Sequence, residues 1–265
     1  MSAEIVRLAL DEDIGAGDIT TDACVPADRK ARGRFLAREA MVVAGLEVLA
    51  ELYDDLTLRK HNGETCADGD LIAEVAGPAR LLLTRERVAL NFLQRLSGVA
   101  TLARRFADAV AGTGCRVLDT RKTTPGLRAL EKAAAAAGGV TNHRMGLYDA
   151  ILIKNNHIAA AGGVRAAIEQ ARGAGRPIEI EVRTRAELRE ALACGAAHLL
   201  LDNLTPAEAA EWVAEIAGRA KVELSGGITL DTVRAYAETG ADYVSAGAIT
   251  HSARAMDISF RLELA

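Results

Sequence analysis

An α/β fold built around a parallel barrel, complete or partly open, is what this sequence predicts, and three observations carry the prediction. From Gly114 onward, six short apolar runs ("RVLDT", "AILIK", "IEIEV", "HLLLD", "KVELS" and "YVSAG") alternate with Ala-rich segments. The run ends recur roughly every 20 to 35 residues, the pace of βα units. Half the residues are hydrophobic but only 3% are aromatic, so the core must come from Ala, Val, Leu and Ile, which suits helices packed on a parallel sheet. No GxGxxG loop follows the first run, which disfavours a doubly wound nucleotide-binding sheet.

The elements follow in chain order. "DEDIGAGDITTD", Asp11 to Asp22, reads from its residues alone as an acidic, glycine-containing loop. Up to about residue 80 the runs are short and strand-like: "GRFLARE", "LTLRK" and "LIAEVAG", separated by the turn-forming "HNGE" and "ADGD". Leu81 to Ala111 has helical periodicity, as one helix or two, with Ser97-Gly98 as the expected break. Thr124-Pro125 and Thr205-Pro206 each place a capping residue before a proline at a first helical position. Thr184 and Thr205 are followed three residues later by Glu187 and Glu208, the capping-box pattern.

Composition excludes several function classes. The chain has 265 residues, enough to bury a real core, and a net charge of −4, which speaks against a general nucleic-acid binder. A positive site must then be a local island aimed at a small anion. The four cysteines, Cys24, Cys66, Cys115 and Cys194, are far apart and form no CxxC, as expected of reduced thiols rather than disulfides or a zinc site. The N-terminus brings acidic residues before any adequate apolar core, unlike a secretory leader, and no apolar run approaches the ~20 residues of a membrane helix. The expectation is a soluble, cytoplasmic protein.

In an α/β barrel the reacting groups collect where the strands stop. Those positions here hold Arg121 and Lys122, then Lys154, Glu181, Asp202, Ser225-Gly226-Gly227 and Ala246-Gly247. Cations end the first strands, carboxylates the middle ones and small residues the last two. The glycine loops leave backbone N–H groups uncovered for a phosphate, although tight turns alone would also account for either glycine motif. Glu181 and Asp202 end adjacent strands beside that site. Mg²⁺ would relieve their mutual repulsion, whereas helix capping or salt bridges would need no ligand. Glu179 shares a strand face with Glu181 and is the competing candidate. Lys154 suits either a Schiff-base nucleophile or a cation gripping an anion. With His143 and Arg144, these residues supply five positive centres for a polyanionic small substrate. His61 and His198 are expected to be structural or exposed. His157 is close enough in sequence to face the site, and His251 to touch phosphate, but a helix-end role suits His251 equally.

"EDIGAGDITT", "ERVALNFLQRLSG", "TRKTTPGLR", "NHRMGLYDAILIKNNHI", "LLLDN", "SGGIT" and "SAGAITHS" resemble the quinolinate phosphoribosyltransferase family, from about Leu10 to Ile258. The resemblance implies an N-terminal α/β sandwich domain over 1–110, joined by the tail 255–265, and an open barrel of the type II phosphoribosyltransferase kind over 111–254. It implies that quinolinate and phosphoribosyl pyrophosphate give nicotinate mononucleotide, pyrophosphate and CO₂, with Mg²⁺ as cofactor. Carried over by motif, Arg121, His143, Arg144 and Lys154 would hold the quinolinate carboxylates. Lys122, Glu181 and Asp202 would bind phosphoribosyl pyrophosphate and its metal. Ser225, Gly226, Gly227, Ala246, Gly247 and His251 would surround the 5′-phosphate. Lys122, Lys154, Glu181 and Asp202 would be the catalytic groups. Arg87 matches an arginine that the family inserts from a partner subunit, implying a homodimer or larger homo-oligomer. Asn155 and Leu224 depart from the family pattern without removing a proposed contact. The rivals are a molybdenum-transport-associated relative of the same fold, a Schiff-base aldolase using Lys154, and a catalytically dead phospho-ligand sensor.

Overall fold

The computed structural model describes residues 2–264, which divide into two compact units. The first takes the described residues of 2–104, 123–139 and 249–264; the second takes 105–122 and 140–248. In chain order the first stretch contains α1 (Ser2–Ile14), α2 (Ile19–Cys24), β1 (Lys30–Ala37), β2 (Met41–Val42), α3 (Leu46–Leu52), β3 (Asp55–Leu58), β4 (Thr65–Cys66), β5 (Leu71–Pro78) and α4 (Ala79–Ala109). There follow β6 (Arg116–Leu118), α5 (Arg128–Ala137), β7 (Ile151–Ile153), α6 (Asn155–Ala161), α7 (Val164–Arg172), β8 (Ile178–Val182), α8 (Arg185–Ala193), β9 (His198–Asp202), α9 (Pro206–Ile216), β10 (Lys221–Ser225), α10 (Val233–Ala237), β11 (Tyr243–Ser245), α11 (Ala248–His251) and β12 (Ile258–Leu264).

In the first unit, β12, β1, β5 and β3 form an antiparallel sheet in that order. The C-terminal strand therefore lies against β1, with Phe260 opposite Phe35 and their rings 4.8 Å apart. Gly33 makes room for that ring: a Cβ there would fall 2.1 Å from Phe260 Cζ. The α4 side chains Thr101 and Ser97 accept the Val42 and Ala44 N–H groups at 2.9 and 3.2 Å, supplying backbone partners beyond the short β2.

Three local expectations need correction. Asp11 to Asp22, expected as a loop, ends α1 and begins α2 across a turn, with Asp18 accepting the Thr21 N–H as the cap of α2. No break occurs at Ser97-Gly98, because α4 runs unbroken through it. Gly98 is there for close approach, since a Cβ would sit 1.9 Å from the Arg254 carbonyl oxygen. Thr124-Pro125 does not begin a helix either: α5 starts at Arg128. Thr124 instead donates both its N–H and its hydroxyl to the buried Glu131 carboxylate, at 3.0 and 2.7 Å, and a turn carries the chain to the helix. The caps at Thr184 and Thr205 form as expected, with Glu187 and Glu208 completing both boxes.

In the second unit all six expected strands form one parallel sheet, in the order β6-β11-β10-β9-β8-β7. That order is the chain order read around a circle and opened between β6 and β7, where a single bridge joins Leu118 to Thr141. A doubly wound sheet would instead reverse direction at an internal strand. The architecture is therefore an open α/β barrel. Its strand residues alternate, so Glu179 and Glu181, Leu200 and Asp202, and Glu223 and Ser225 fall on one face. No helix among the described residues is long and apolar enough to cross a membrane.

Candidate active site

A cavity of about 260 Å³ opens at the C-terminal ends of the barrel strands. Arg121, Lys122, His143, Arg144, Lys154, Asp202 and Ser225 all line it, together with Glu223 and Ser245. The parallel register explains the convergence: Ser225 pairs with Asp202 and Ser245 with Leu118, so successive strands deliver their last inward residues to one level.

Arg121 and Arg144 define the electrostatics. Burial lowers the Arg144 guanidinium's ordinary proton affinity, and the neighbouring Arg121 cation lowers it further. Two like charges held near each other in a partly buried cavity are stabilised by an anion. The loop that presents Arg144 is fixed from within: Asp149 accepts the Met145 and Gly146 N–H groups at 2.6 and 3.0 Å, and Arg144 donates to the Ala150 carbonyl. Backbone donation holds the Asp149 carboxyl below its usual range. Buried Asp119, next after β6, accepts from the His143 N–H and Asn142 Nδ2 at 2.8 and 2.7 Å, anchoring the loop's other end.

His143 is more constrained than a surface ligand. Its Nδ1 accepts the Arg144 amide N–H at 2.7 Å, and its Nε2 lies 3.2 Å from Glu179 and 3.4 Å from Glu223. Burial disfavours a proton on the imidazole, but the two carboxylates outweigh it and raise the ring's affinity for one. This trio has ligand-like spacing, within 4.8 Å. The Arg144 N–H, however, occupies the Nδ1 lone pair, so Nε2 carries the ring proton and acts as a donor rather than a metal ligand.

Lys154 follows β7 with its side chain about half exposed, 3.6 Å from buried Glu181. Glu181 also accepts from Arg183 at 2.9 Å. Asp202 accepts from two neutral donors, Ser225 Oγ and Asn203 Nδ2, both at 2.6 Å. Its charge is thus oriented by hydroxyl and amide, and its oxygens are the hard donors that Mg²⁺ takes alongside phosphate oxygens. The Asp202 carboxylate has the chemistry such an ion takes, whereas Glu181 is already paired with two cations, Lys154 and Arg183.

The glycine pair separates into two roles. Gly226, at φ 96°, would place a Cβ 2.3 Å from Asn203 Oδ1, so it is explained by the close approach of the β9 loop. Gly227, at φ 63°, has open space where a Cβ would lie. α11 begins directly after Gly247, whereas α10 begins only at Val233, so no helix stands immediately behind Gly227.

The remaining expected residues lie elsewhere. His157 accepts the Lys154 N–H at 2.9 Å and so serves the start of α6. Arg87, exposed on α4, and His251, hydrogen-bonded to Ser252, belong to the first unit. His198 is 3.5 Å from Glu179. Asp119 and Glu223 have no place among the residues expected at the site, although both show the signal of Glu179: a carboxylate inside or directly after an apolar strand.

Comparison with known proteins gives concordant results. The family model for the C-terminal domain of quinolinate phosphoribosyl transferase matches residues 99–261, and that for its N-terminal domain matches 18–97. A probable carboxylating nicotinate-nucleotide pyrophosphorylase of Bacillus subtilis is 42% identical over 96% of this chain and 90% of its own length. A chloroplastic enzyme of that name from Arabidopsis thaliana is 38% identical, covering 98% of this chain and 82% of the relative. The crystal structure of NadC from Streptococcus pyogenes superposes with a TM-score of 0.93 at 39% identity, over 99% of this chain and 96% of that one. The Francisella tularensis nicotinate-nucleotide pyrophosphorylase gives 0.95 at 35% identity, with the same coverage. On these matches and this barrel, the chain belongs to the quinolinate phosphoribosyltransferase family.

Proposed function

We propose that the protein transfers the phosphoribosyl group of phosphoribosyl pyrophosphate to quinolinate with Mg²⁺, and releases nicotinate mononucleotide, pyrophosphate and CO₂. The observation that carries this reading is the Arg121–Arg144 pair, whose mutual repulsion at the cavity favours a compact polyanion. A pyridine dicarboxylate is such an anion, and Arg clamps carboxylates bidentately.

Arg121, Arg144 and Lys154 hold the two carboxylates, with Asp119 and His143 keeping the Arg144 loop in place. Lys122 and the open backbone at Gly227 receive the phosphates. Ala246-Gly247 adds the second loop, and His251 is assigned to the same phosphate by family resemblance. The ring nitrogen attacks ribose C1 as pyrophosphate leaves, and Glu181 and Asp202 favour the positive charge that builds on the sugar. Glu181 and Asp202 would hold Mg²⁺, which would supply charge neutralisation for the leaving group. The alkylated ring nitrogen is cationic and stabilises the electron pair left at the adjacent carbon when CO₂ departs. No protein nucleophile is needed, so positioning and electrostatics supply most of the rate. Arg87 completes the site of a partner subunit.

The test is a turnover assay by mass spectrometry with quinolinate labelled at the 2-carboxylate, and nicotinate in parallel. Labelled CO₂ and nicotinate mononucleotide from quinolinate only, lost with EDTA and restored by Mg²⁺, is the expected result. Product from nicotinate would replace the reading with a non-carboxylating transfer. Absence of product from either would overturn it in favour of the molybdenum-associated relative or the sensor. A borohydride-trapped Lys154 adduct would point to the aldolase.

A further inference from the structure

Asn203 follows Asp202 at the end of β9 and holds a left-handed backbone conformation, φ 59°. Apart from glycine, few residues enter that region readily, and Asn is one of them. Its neighbours fix it there. The Asn203 N–H donates to the Ser225 carbonyl at 2.9 Å, tying the end of β9 to the end of β10. The Leu204 carbonyl that follows accepts from the Tyr236 hydroxyl at 2.9 Å, and Thr205 caps α9.

In this conformation the Asn203 side chain turns back on its predecessor. Its Nδ2 donates to Asp202 Oδ2 at 2.6 Å, while Ser225 Oγ donates to Asp202 Oδ1, also at 2.6 Å. The orientation of the amide follows from chemistry: an ionised carboxylate only accepts, so the NH₂ end must face it. The carbonyl end is then directed at Gly226, where a Cβ would fall 2.3 Å from Asn203 Oδ1 and 2.7 Å from its Cγ. Gly226 thus leaves the space that the amide needs. Each carboxylate oxygen offers about two acceptor positions, and one on each Asp202 oxygen is taken. The carboxylate plane is held from both sides, and the remaining lone pairs are left for the cavity that Asp202 lines.

A glycine would meet φ 59° at less cost, so the turn itself does not call for an amide. We infer that Asn203 is a positioning residue: with Ser225 it locks the Asp202 carboxylate in the orientation that meets phosphoribosyl pyrophosphate and its metal ion. Without the amide, one oxygen loses its restraint, the carboxylate turns about its Cβ–Cγ bond, and binding must re-order it. The inference rests on the proposed function, in which Asp202 faces that substrate.

Asn203→Gly in the full chain separates this role from the turn, because it keeps the backbone angle and the N–H to Ser225 and deletes only the amide. Phosphoribosyl pyrophosphate with Mg²⁺ is titrated calorimetrically in the presence of benzene-1,2-dicarboxylate, which has the two carboxylates but no ring nitrogen to attack. The Kd should rise about 10- to 100-fold over wild type, the usual cost of losing a hydrogen bond that orients a ligating group. In turnover, the quinolinate KM should stay within about twofold, whereas a general loosening of the strand ends would raise both. A Gly variant whose Kd stays within about threefold of wild type, or whose quinolinate KM rises in step, overturns the inference. If the Gly variant does not fold, Asn203→Asp decides by the same comparison, since it tolerates the same φ but has no N–H to give Asp202. In an Asp202→Asn background, adding Asn203→Gly should change the Kd by less than about twofold, because the two side chains act as one unit. A full further loss there would mean that Asn203 touches the substrate directly, and would overturn a role exerted through Asp202. Wild-type protein without affinity for phosphoribosyl pyrophosphate overturns the function and the inference together. Wild-type affinity with an unimpaired Gly variant overturns the inference alone.

Discussion

Arg95→Met should cost about 3 kcal/mol of folding stability, a value that follows from the surroundings of Glu131. That carboxylate is fully buried and accepts from Arg95 Nε at 3.1 Å and Nη2 at 2.8 Å, while Arg95 Nη1 donates to the Ala253 carbonyl at 2.6 Å. Removing one member of a buried ion pair costs ~3–5 kcal/mol because the other charge stays behind uncompensated. Two features put this case at the lower end: Thr124 still supplies two donors to Glu131, and the Arg95 side chain is 24% exposed, so water reaches the gap. The assay is urea unfolding followed by circular dichroism at fixed protein concentration. Adding Glu131→Gln removes the stranded charge, so the double variant should recover roughly 1–2 kcal/mol of the loss. A single-variant loss under about 1 kcal/mol, or a double variant no more stable than the single, would refute the charge-burial argument.

Arg144→Gln should raise the quinolinate KM about 10- to 100-fold, the worth of a charged hydrogen bond at ~1.5–3 kcal/mol, and leave the phosphoribosyl pyrophosphate KM nearly unchanged in steady-state kinetics. Equal effects on both substrates would remove Arg144 from carboxylate binding. Arg87→Ala and Lys154→Ala proteins, each inactive, should regain part of the activity when mixed, because one composite site would be intact. Heterodimers without activity would refute a shared site. Gly98→Ala would gain ~1 kcal/mol from helix propensity alone, but its Cβ at 1.9 Å from the Arg254 carbonyl oxygen should reverse the sign, leaving a net loss of about 1–2 kcal/mol in urea melts.

Local rules made much of the barrel legible. Its strands are short and largely buried along their length because both sheet faces are covered, and Thr184 and Thr205 sit three residues from their glutamates because the cap geometry demands that interval. The cationic and acidic strand ends were legible for the same reason: parallel strands bring their C-terminal ends to one level, so a position in sequence becomes a position in the site.

Where local rules failed, the deciding partner lay outside the residues those rules consider. Gly98 looks like a helix break, but it answers to Arg254; Thr124 looks like a cap, but it answers to Glu131, held in turn by Arg95. Glu223 in "KVELS" carries the same signal as Glu179, yet its significance appears only when β8, β10 and the 142–150 loop converge on the His143 ring. By itself, the sequence determined the strand–helix alternation of the barrel and which charged groups reach the strand ends, because periodicity, capping and strand direction are properties of neighbouring residues. Tertiary structure alone decided which carboxylates meet at the His143 ring, which glycine is filled by a neighbour and which is open, and where a helix runs on. Each of those depends on desolvation and on contacts between residues distant in the chain.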